Sequence, residues 1–154
     1  MKKVLITLDY DPTAERVAEI GYSFAKALNA EITLIHVISD PLYYSTAGFA
    51  PMGFVGYNDL IVNDDIIESL REIGQEFLNK SKAHLGDKSI RTILQEGDFA
   101  DSILESSKEL GMDIIVMGTH GRKWFEKILI GSVAEKVLRH STIPLFLIPT
   151  AHKH

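Results

Sequence analysis

Five short runs rich in Val, Ile and Leu punctuate this chain, and longer stretches of helical period separate them. That alternation constrains the fold more than any other feature. The runs are KVLITL (Lys3–Leu8), EITLIHVI (Glu31–Ile38), SIRTILQ (Ser89–Gln95), DIIVMG (Asp113–Gly118) and IPLFLIP (Ile143–Pro149). DIIVMG is almost entirely apolar, which suits a parallel strand covered on both faces. After the first run, Val17, Ile20, Phe24, Ala27 and Leu28 keep helical spacing. Asp11 reads as the N-cap of that helix and Pro12 as its first position, and Asn29 closes it. A second helix is expected from about Asp64 to Leu85, with Ile67, Leu70, Ile73, Phe77 and Leu78 on one side. Asp98 caps a third, which runs to Leu110 and ends at Gly111. A fourth runs from about Ser132 to His140. The order β-α-β-loop-α-β-α-β-loop-α-β argues for an open parallel α/β sheet with right-handed crossovers.

The 154 residues fit one domain, 1–150, with a short tail at 151–154. A domain of that size buries about 68–70% of its unfolded surface and needs no staple. There is no cysteine, which removes disulfides, thiolate metal sites and cysteine nucleophiles together. The formal net charge is -5. Binders of polymeric nucleic acid are usually basic, because Lys and Arg against phosphate supply most of their affinity. This chain therefore does not look like one, while a small nucleotide held by backbone N–H groups stays open. The apolar run in MKKVLITLD is too short for a signal peptide, and none approaches the ~20 residues of a membrane span. The expected location is the cytoplasm.

The segment 40–63 breaks the rhythm. It carries Pro41, Gly48, Pro51, Gly53 and Gly56 beside Tyr43, Tyr44, Phe49, Phe54 and Tyr57. Long irregular loops in compact domains are often functional. A lid over a ligand, a surface for a partner subunit and a self-packed surface loop are all compatible with it.

Glycines supply the chemical signal. Three of the chain's 11, Gly118, Gly121 and Gly131, surround one short segment, and Ser132 follows the third. Gly118 stands at the carboxyl end of a strand, where open α/β sheets bind ligands. Ser132 and Val133 open a helix whose first N–H groups lack partners and whose dipole favours an anion. Glycines let a phosphate approach the backbone. One reading is thus a phosphate cradle made from two pieces of chain. The other is turn chemistry, with Ser132 and Glu135 of SVAE as a capping box.

GTHGRKWFEKILIGSV resembles the G-x2-G-x9-G-[ST] signature of the nucleotide-binding branch of the universal stress protein family. Gly118, Gly121, Gly131 and Ser132 match it at full spacing. KVLITLD looks like that family's first strand, EGDFADSIL like its EGDPAEEIL region and STIPLFLIP like its last strand, so the resemblance spans nearly the whole chain. It implies a Rossmann-like, adenine nucleotide alpha hydrolase-like fold of five strands in the order 3-2-1-4-5. It implies ATP, or ADP or AMP, as ligand, with Mg²⁺ screening the phosphates. Asp9 and Val37 would lie at the adenine and ribose end, and Thr7 would line the base pocket. Met117 and Gly118 would touch the ribose side. Gly121, Gly131, Ser132 and Val133 would hold phosphates, and Arg122 would add a positive charge. The last strand, Pro144 to Pro149, would pair across a homodimer, and further protein partners would read the nucleotide state. One departure bears on affinity and on the choice of nucleotide. ATP-binding members read D-x-S after the first strand, whereas this chain has Asp9-Tyr10-Asp11. Facing the phosphates, Asp11 would repel them; the expectation is that it caps the first helix.

Other motifs point away from rapid catalysis. There is no G-x-S-x-G elbow and no G-x4-G-K-[ST] loop. Asp64 and Asp65 stand at a helix start, where the dipole alone explains them. His36 is expected to be a core histidine, His120 is not read as catalytic, and His152 and His154 belong to the tail. Trp124, inside the cradle, would shield phosphates or face a partner. A sensor that binds ATP and hydrolyses it slowly, if at all, leads. A nucleotide hydrolase or adenylyl transferase lacks its usual HIGH-like or SGGxDS-like signature. An interaction module of the same fold without nucleotide stays open on the strength of Tyr10 and Asp11.

Overall fold

Each of the five apolar runs becomes a strand. The computed structural model describes residues 1–39, 64–120 and 130–150. Its elements are β1 (Lys3–Thr7), α1 (Ala14–Ala27), β2 (Glu31–Ile38), α2 (Asp64–Leu85), β3 (Arg91–Glu96), α3 (Phe99–Glu109), β4 (Ile114–Gly118), α4 (Ser132–His140) and β5 (Leu145–Ile148). All pairings are parallel, and the sheet order is β3-β2-β1-β4-β5. Val4 stands beside Ile32 and Ile6 beside Leu34, while on the other edge of β1 Ile6 stands beside Val116. The segment 40–63, with its aromatic residues, and the tail 151–154, with His152 and His154, lie outside the described residues.

Successive side chains of a strand point to opposite faces, so an all-apolar strand needs cover on both. Val4, Ile6, Leu34 and Val116 meet Val17 and Ala18 of α1 and Leu78 of α2. Leu5, Ile35, Val37, Ile115 and Met117 meet Ile103 of α3 and Ala134 and Val137 of α4. Complete burial of each such aliphatic side chain stabilises the fold by roughly 1.5–3 kcal/mol. Two helices on each face follow from that requirement.

The ends of the elements depart from the sequence reading in instructive ways. α1 starts at Ala14 with Thr13 as its N-cap, not at Pro12 behind Asp11. Asp11 instead closes a turn before the helix. One of its carboxylate oxygens accepts from the Thr13 amide at 2.6 Å and from the Thr13 hydroxyl. β3 starts at Arg91 rather than Ser89, because the Asp87 carboxylate holds Ser89 through its amide (2.9 Å) and hydroxyl (2.6 Å). β5 is shorter than Ile143–Pro149, and prolines 144 and 149, which have no N–H to donate, flank it. Asn29 does close α1, in the left-handed region at φ 52°. Asp98 does cap α3, accepting from the Asp101 amide at 3.0 Å.

His36 is a core histidine. It is buried, its Nδ1 lies 2.8 Å from the Leu8 carbonyl, and its ring meets those of Tyr10 and Phe77 edge-on. Tyr10, the unusual residue after Asp9, thus sends its ring into the core beside α2, where it lies 4.9 Å from Phe77. Among the described residues, no helix is long and apolar enough to cross a membrane.

One surface cluster ties α1 to α2. His84 Nε2 lies 2.7 Å from Glu19 and 3.1 Å from Glu15. The bond to Glu19, then the charge of Glu15, raises the His84 pKa above its ordinary 6.5. The fold therefore favours the protonated ring. That contribution is complete below the unfolded pKa and disappears as pH rises through the raised folded one. His84→Gln is expected to lower the melting temperature at about pH 5.5, with the gap from the parent closing by about pH 9. A gap that stays constant over that range in paired thermal melts would contradict this assignment.

Candidate functional site

A parallel sheet whose chain leaves a central strand in both directions opens a crevice above the carboxyl ends of its strands. Here the crevice is a cleft of about 340 Å³ over β1, β2 and β4, between the starts of α3 and α4. Thr7 and Asp9 enter it from the end of β1, Val37 from β2, Met117 and Gly118 from β4, and Gly131, Ser132 and Val133 from the start of α4. These residues are scattered from one end of the sequence to the other, and the topology gathers them. Gly121, Arg122 and Trp124 lie outside the described residues.

The inner wall is apolar, built from Ile35, Val37, Ile103 and Met117. Polar groups ring it. The Thr7 hydroxyl donates to the Val116 carbonyl at 3.2 Å. Asp9 accepts from the Tyr10 amide at 2.7 Å, which fixes its carboxylate at the turn out of β1. Asp11 also lines the cleft, so its bonds to Thr13 do not remove its charge from that wall. The sequence predicts that Asp11 caps the helix instead of facing the site. It binds the turn before the helix and faces the site as well.

The helix start differs from the expected capping box. Gly131 is the N-cap, and Ser132 is the first helical residue. The Glu135 amide donates to the Gly131 carbonyl at 2.9 Å, while the Glu135 carboxylate pairs with Arg139 at 2.9 Å instead of reaching back. The S-x-x-E pattern is present but one residue late. Ser132 is exposed, and the amides of Ser132, Val133 and Ala134 fall in the first turn, where no intrahelical acceptor exists. The positive end of the α4 dipole therefore meets the cleft.

The two described glycines of the motif have different reasons to be glycine. At Gly118 a Cβ would lie 2.9 Å from Thr150 Cγ2 and 3.2 Å from Val17 Cγ2, so internal packing already excludes a side chain. Gly131 has φ −70°, which any residue adopts, so the backbone there makes no such demand. Thr150 is part of a knot that fixes the chain beyond β4. Its hydroxyl accepts from the His120 amide and donates to the His120 carbonyl, both at 2.9 Å, and its amide donates to Thr119 Oγ1 at 3.1 Å. His120 is buried, lines the cleft and lies 2.9 Å through Nδ1 from the Thr119 hydroxyl.

Beyond the glycine signature, charge gathers at the α3 side of the cleft. Asp98 and Lys136 both line the cleft, and Lys136 Nζ lies 3.2 Å from Asp98 and 3.2 Å from Asp101. The Asp101 amide, and then Lys136, hold the Asp98 carboxyl below its usual value. Asp98 and Asp101 in turn raise the Lys136 ammonium. Two signals pointed there: a helix cap directly after a strand end, and a lysine four residues beyond Ser132 on the same helical face.

A model of the universal stress protein family matches residues 1–149. Universal stress protein MJ0531 of Methanocaldococcus jannaschii is 32% identical over 154 residues, which spans 99% of this chain and 84% of that protein. Universal stress protein YxiE of Bacillus subtilis is 26% identical over 148 residues, covering 95% and 97% of the two chains. Among solved structures, that of protein MJ0577 has a TM-score of 0.77 at 25% identity, covering 99% of this chain and 98% of that one. A universal stress protein in complex with cAMP shares the fold, with a TM-score of 0.60 at 20% identity over 96% of this chain and 95% of that one.

The tight contact at Gly118 is directly testable. Gly118→Ala is expected to lower stability by about 1–3 kcal/mol, as overpacking does. Thr150→Ser in the same chain removes the Cγ2 atom that the new methyl meets and is expected to recover part of the loss in urea titrations. Equal stability of the parent and Gly118→Ala would contradict the packing account.

Proposed function

We propose that this chain, which belongs to the universal stress protein family, binds an adenine nucleotide in the cleft and acts as a nucleotide-dependent regulator in the stress response, with little or no hydrolysis. One observation carries the reading. A single cleft joins an apolar wall of Ile35, Val37, Ile103 and Met117 to the first turn of α4, whose amides have no intrahelical acceptor. An apolar pocket with a few convergent polar groups is the usual form of a small-molecule site. A helix N-terminus is a favourable place for phosphate.

In this reading the base lies against Val37, with Thr7 and Asp9 at its edge, and Met117 lies toward the ribose. Gly118 passes under the ribose. Ser132 and Val133 hold phosphate, and Gly121 and Arg122 complete the cradle from the segment after β4. ATP is the ligand proposed first, with ADP or AMP as relatives of the same chemistry. The carboxylates of Asp9 and Asp11 suit a hard cation, which takes oxygen ligands. They are the groups that would hold Mg²⁺ with the phosphates, and the ion would supply charge screening. Both carboxylates are engaged by the turn between β1 and α1, which supports binding without rapid general-base chemistry.

The proposed partner is a second copy of the chain, paired through Pro144 to Pro149. β5 stands at the edge of the sheet, and its Leu145, Phe146 and Leu147 are half-buried. An apolar edge strand needs a cover. A second reading, an interaction module without nucleotide, has two observations in its favour: the Asp11 charge on the cleft wall, and the packing that explains Gly118 without a ligand.

The test is a calorimetric titration with Mg-ATP of the parent and of Gly131→Ala/Ser132→Ala. The φ of −70° at Gly131 and the helical backbone of Ser132 suit alanine, and circular dichroism checks that the double variant folds. Its affinity is expected to fall at least about tenfold, the scale of lost hydrogen bonds to a charged group. An unchanged affinity in the folded variant would sink the assignment.

A further inference from the structure

Lys136 is absent from the glycine signature, yet its placement matches that of a ligand group. It stands four residues beyond Ser132 on α4, hence on the same face and about 6 Å further along the axis. Both side chains line the cleft, and among the described lining residues Lys136 is the only Lys or Arg. Its ammonium is occupied. Asp98 Oδ2 and Asp101 Oδ1 each lie 3.2 Å from Nζ.

We propose that Lys136 is a further phosphate-binding residue of the cleft, held in reserve by Asp98 and Asp101, and that an arriving phosphate takes it from them and so unlatches α4 from the first turn of α3. This deepens the nucleotide reading above and rests on it.

Three features support the exchange. First, the ion pairs are half-exposed, with 43% of the Lys136 side chain and 53% and 58% of its partners' accessible, and pairs of that exposure are weak. A phosphate seated against the α4 amides offers a stronger, charge-assisted partner. Second, losing the lysine strands neither carboxylate. Asp98 Oδ2 keeps the Asp101 amide at 3.0 Å as the cap of α3. Asp101 stands in the first turn of α3, where the helix dipole favours a negative charge. Third, the latch is mechanical. It joins the start of α3 to the middle of α4, two helices that lie side by side on one face of the sheet, so its release changes a surface that another protein can read.

The proposal makes a prediction of opposite signs. Lys136→Gln removes the cation, and Asp101→Asn removes a competitor for it without altering a residue that lines the cleft. In calorimetric titrations with Mg-ATP, Lys136→Gln is expected to bind about three- to tenfold more weakly and Asp101→Asn about two- to fivefold more tightly than the parent. Adenosine, which has no phosphate, is expected to bind parent and Lys136→Gln alike. Hydrogen exchange in the first turn of α3 is expected to speed up when the parent binds Mg-ATP and not when Lys136→Gln does. If both variants weaken Mg-ATP binding equally, or neither changes it while the parent binds, the role of Lys136 is overturned and the nucleotide reading survives. If the parent binds no adenine nucleotide, both fall together.

Discussion

Burial of both faces of β1 and β4 is the constraint on which the rest depends. Val4, Leu5, Ile6, Ile115 and Val116 are all fully buried, so each strand needs helices above and below it. Parallel neighbours can be joined only by crossovers, and crossovers of one hand place successive helices on one face until the chain changes direction along the sheet. That change happens between β1 and β4. From β1 the chain moves outward through β2 to β3, then returns to place β4 on the other side. The two connections part above the ends of β1 and β4, and the cleft is the space they leave. The site thus follows from covering an apolar sheet.

Within that cleft, packing alone accounts for part of the glycine signature. Gly118 is glycine for Thr150 and Val17 before any ligand is considered. Gly131 has an ordinary backbone and is the residue whose lack of a side chain needs a reason outside local strain. The positive end of α4 and the carboxylates of Asp9, Asp11 and Asp98 face the same space. A cleft so arranged discriminates by charge: an anion gains at the helix start and loses near the carboxylates unless a cation accompanies it. For the proposed nucleotide, that balance ties the phosphates to an accompanying cation.

Most of the architecture was legible because strands covered on both faces announce themselves as unbroken apolar runs. Local signals were less reliable at the ends of elements. Asp11 before Pro12 looked like a helix cap and became a turn, because its carboxylate found Thr13 first. Ser132 with Glu135 looked like a capping box, but glycine took the cap and Glu135 took Arg139. Tyr10, part of the departure from the family pattern after β1, has its ring in the core beside His36 and Phe77. Strand ends and glycine spacing pointed at the cleft, since both are written locally. Asp98 and Lys136 each carried a local signal, but their pairing did not, and neither did the Thr150–His120 knot. Both join positions 30 or more apart that meet only once α3 lies beside α4 and β5 beside β4.

The most direct test of the account follows backbone amide resonances of the isotope-labelled protein as Mg-ATP is added. The account predicts saturable shifts concentrated at Val37, Gly118, Ser132 and Val133, with residues on the far side of α2, such as Lys80, unmoved. Shifts spread elsewhere, or none at millimolar nucleotide, would contradict the claim that this cleft is a nucleotide site.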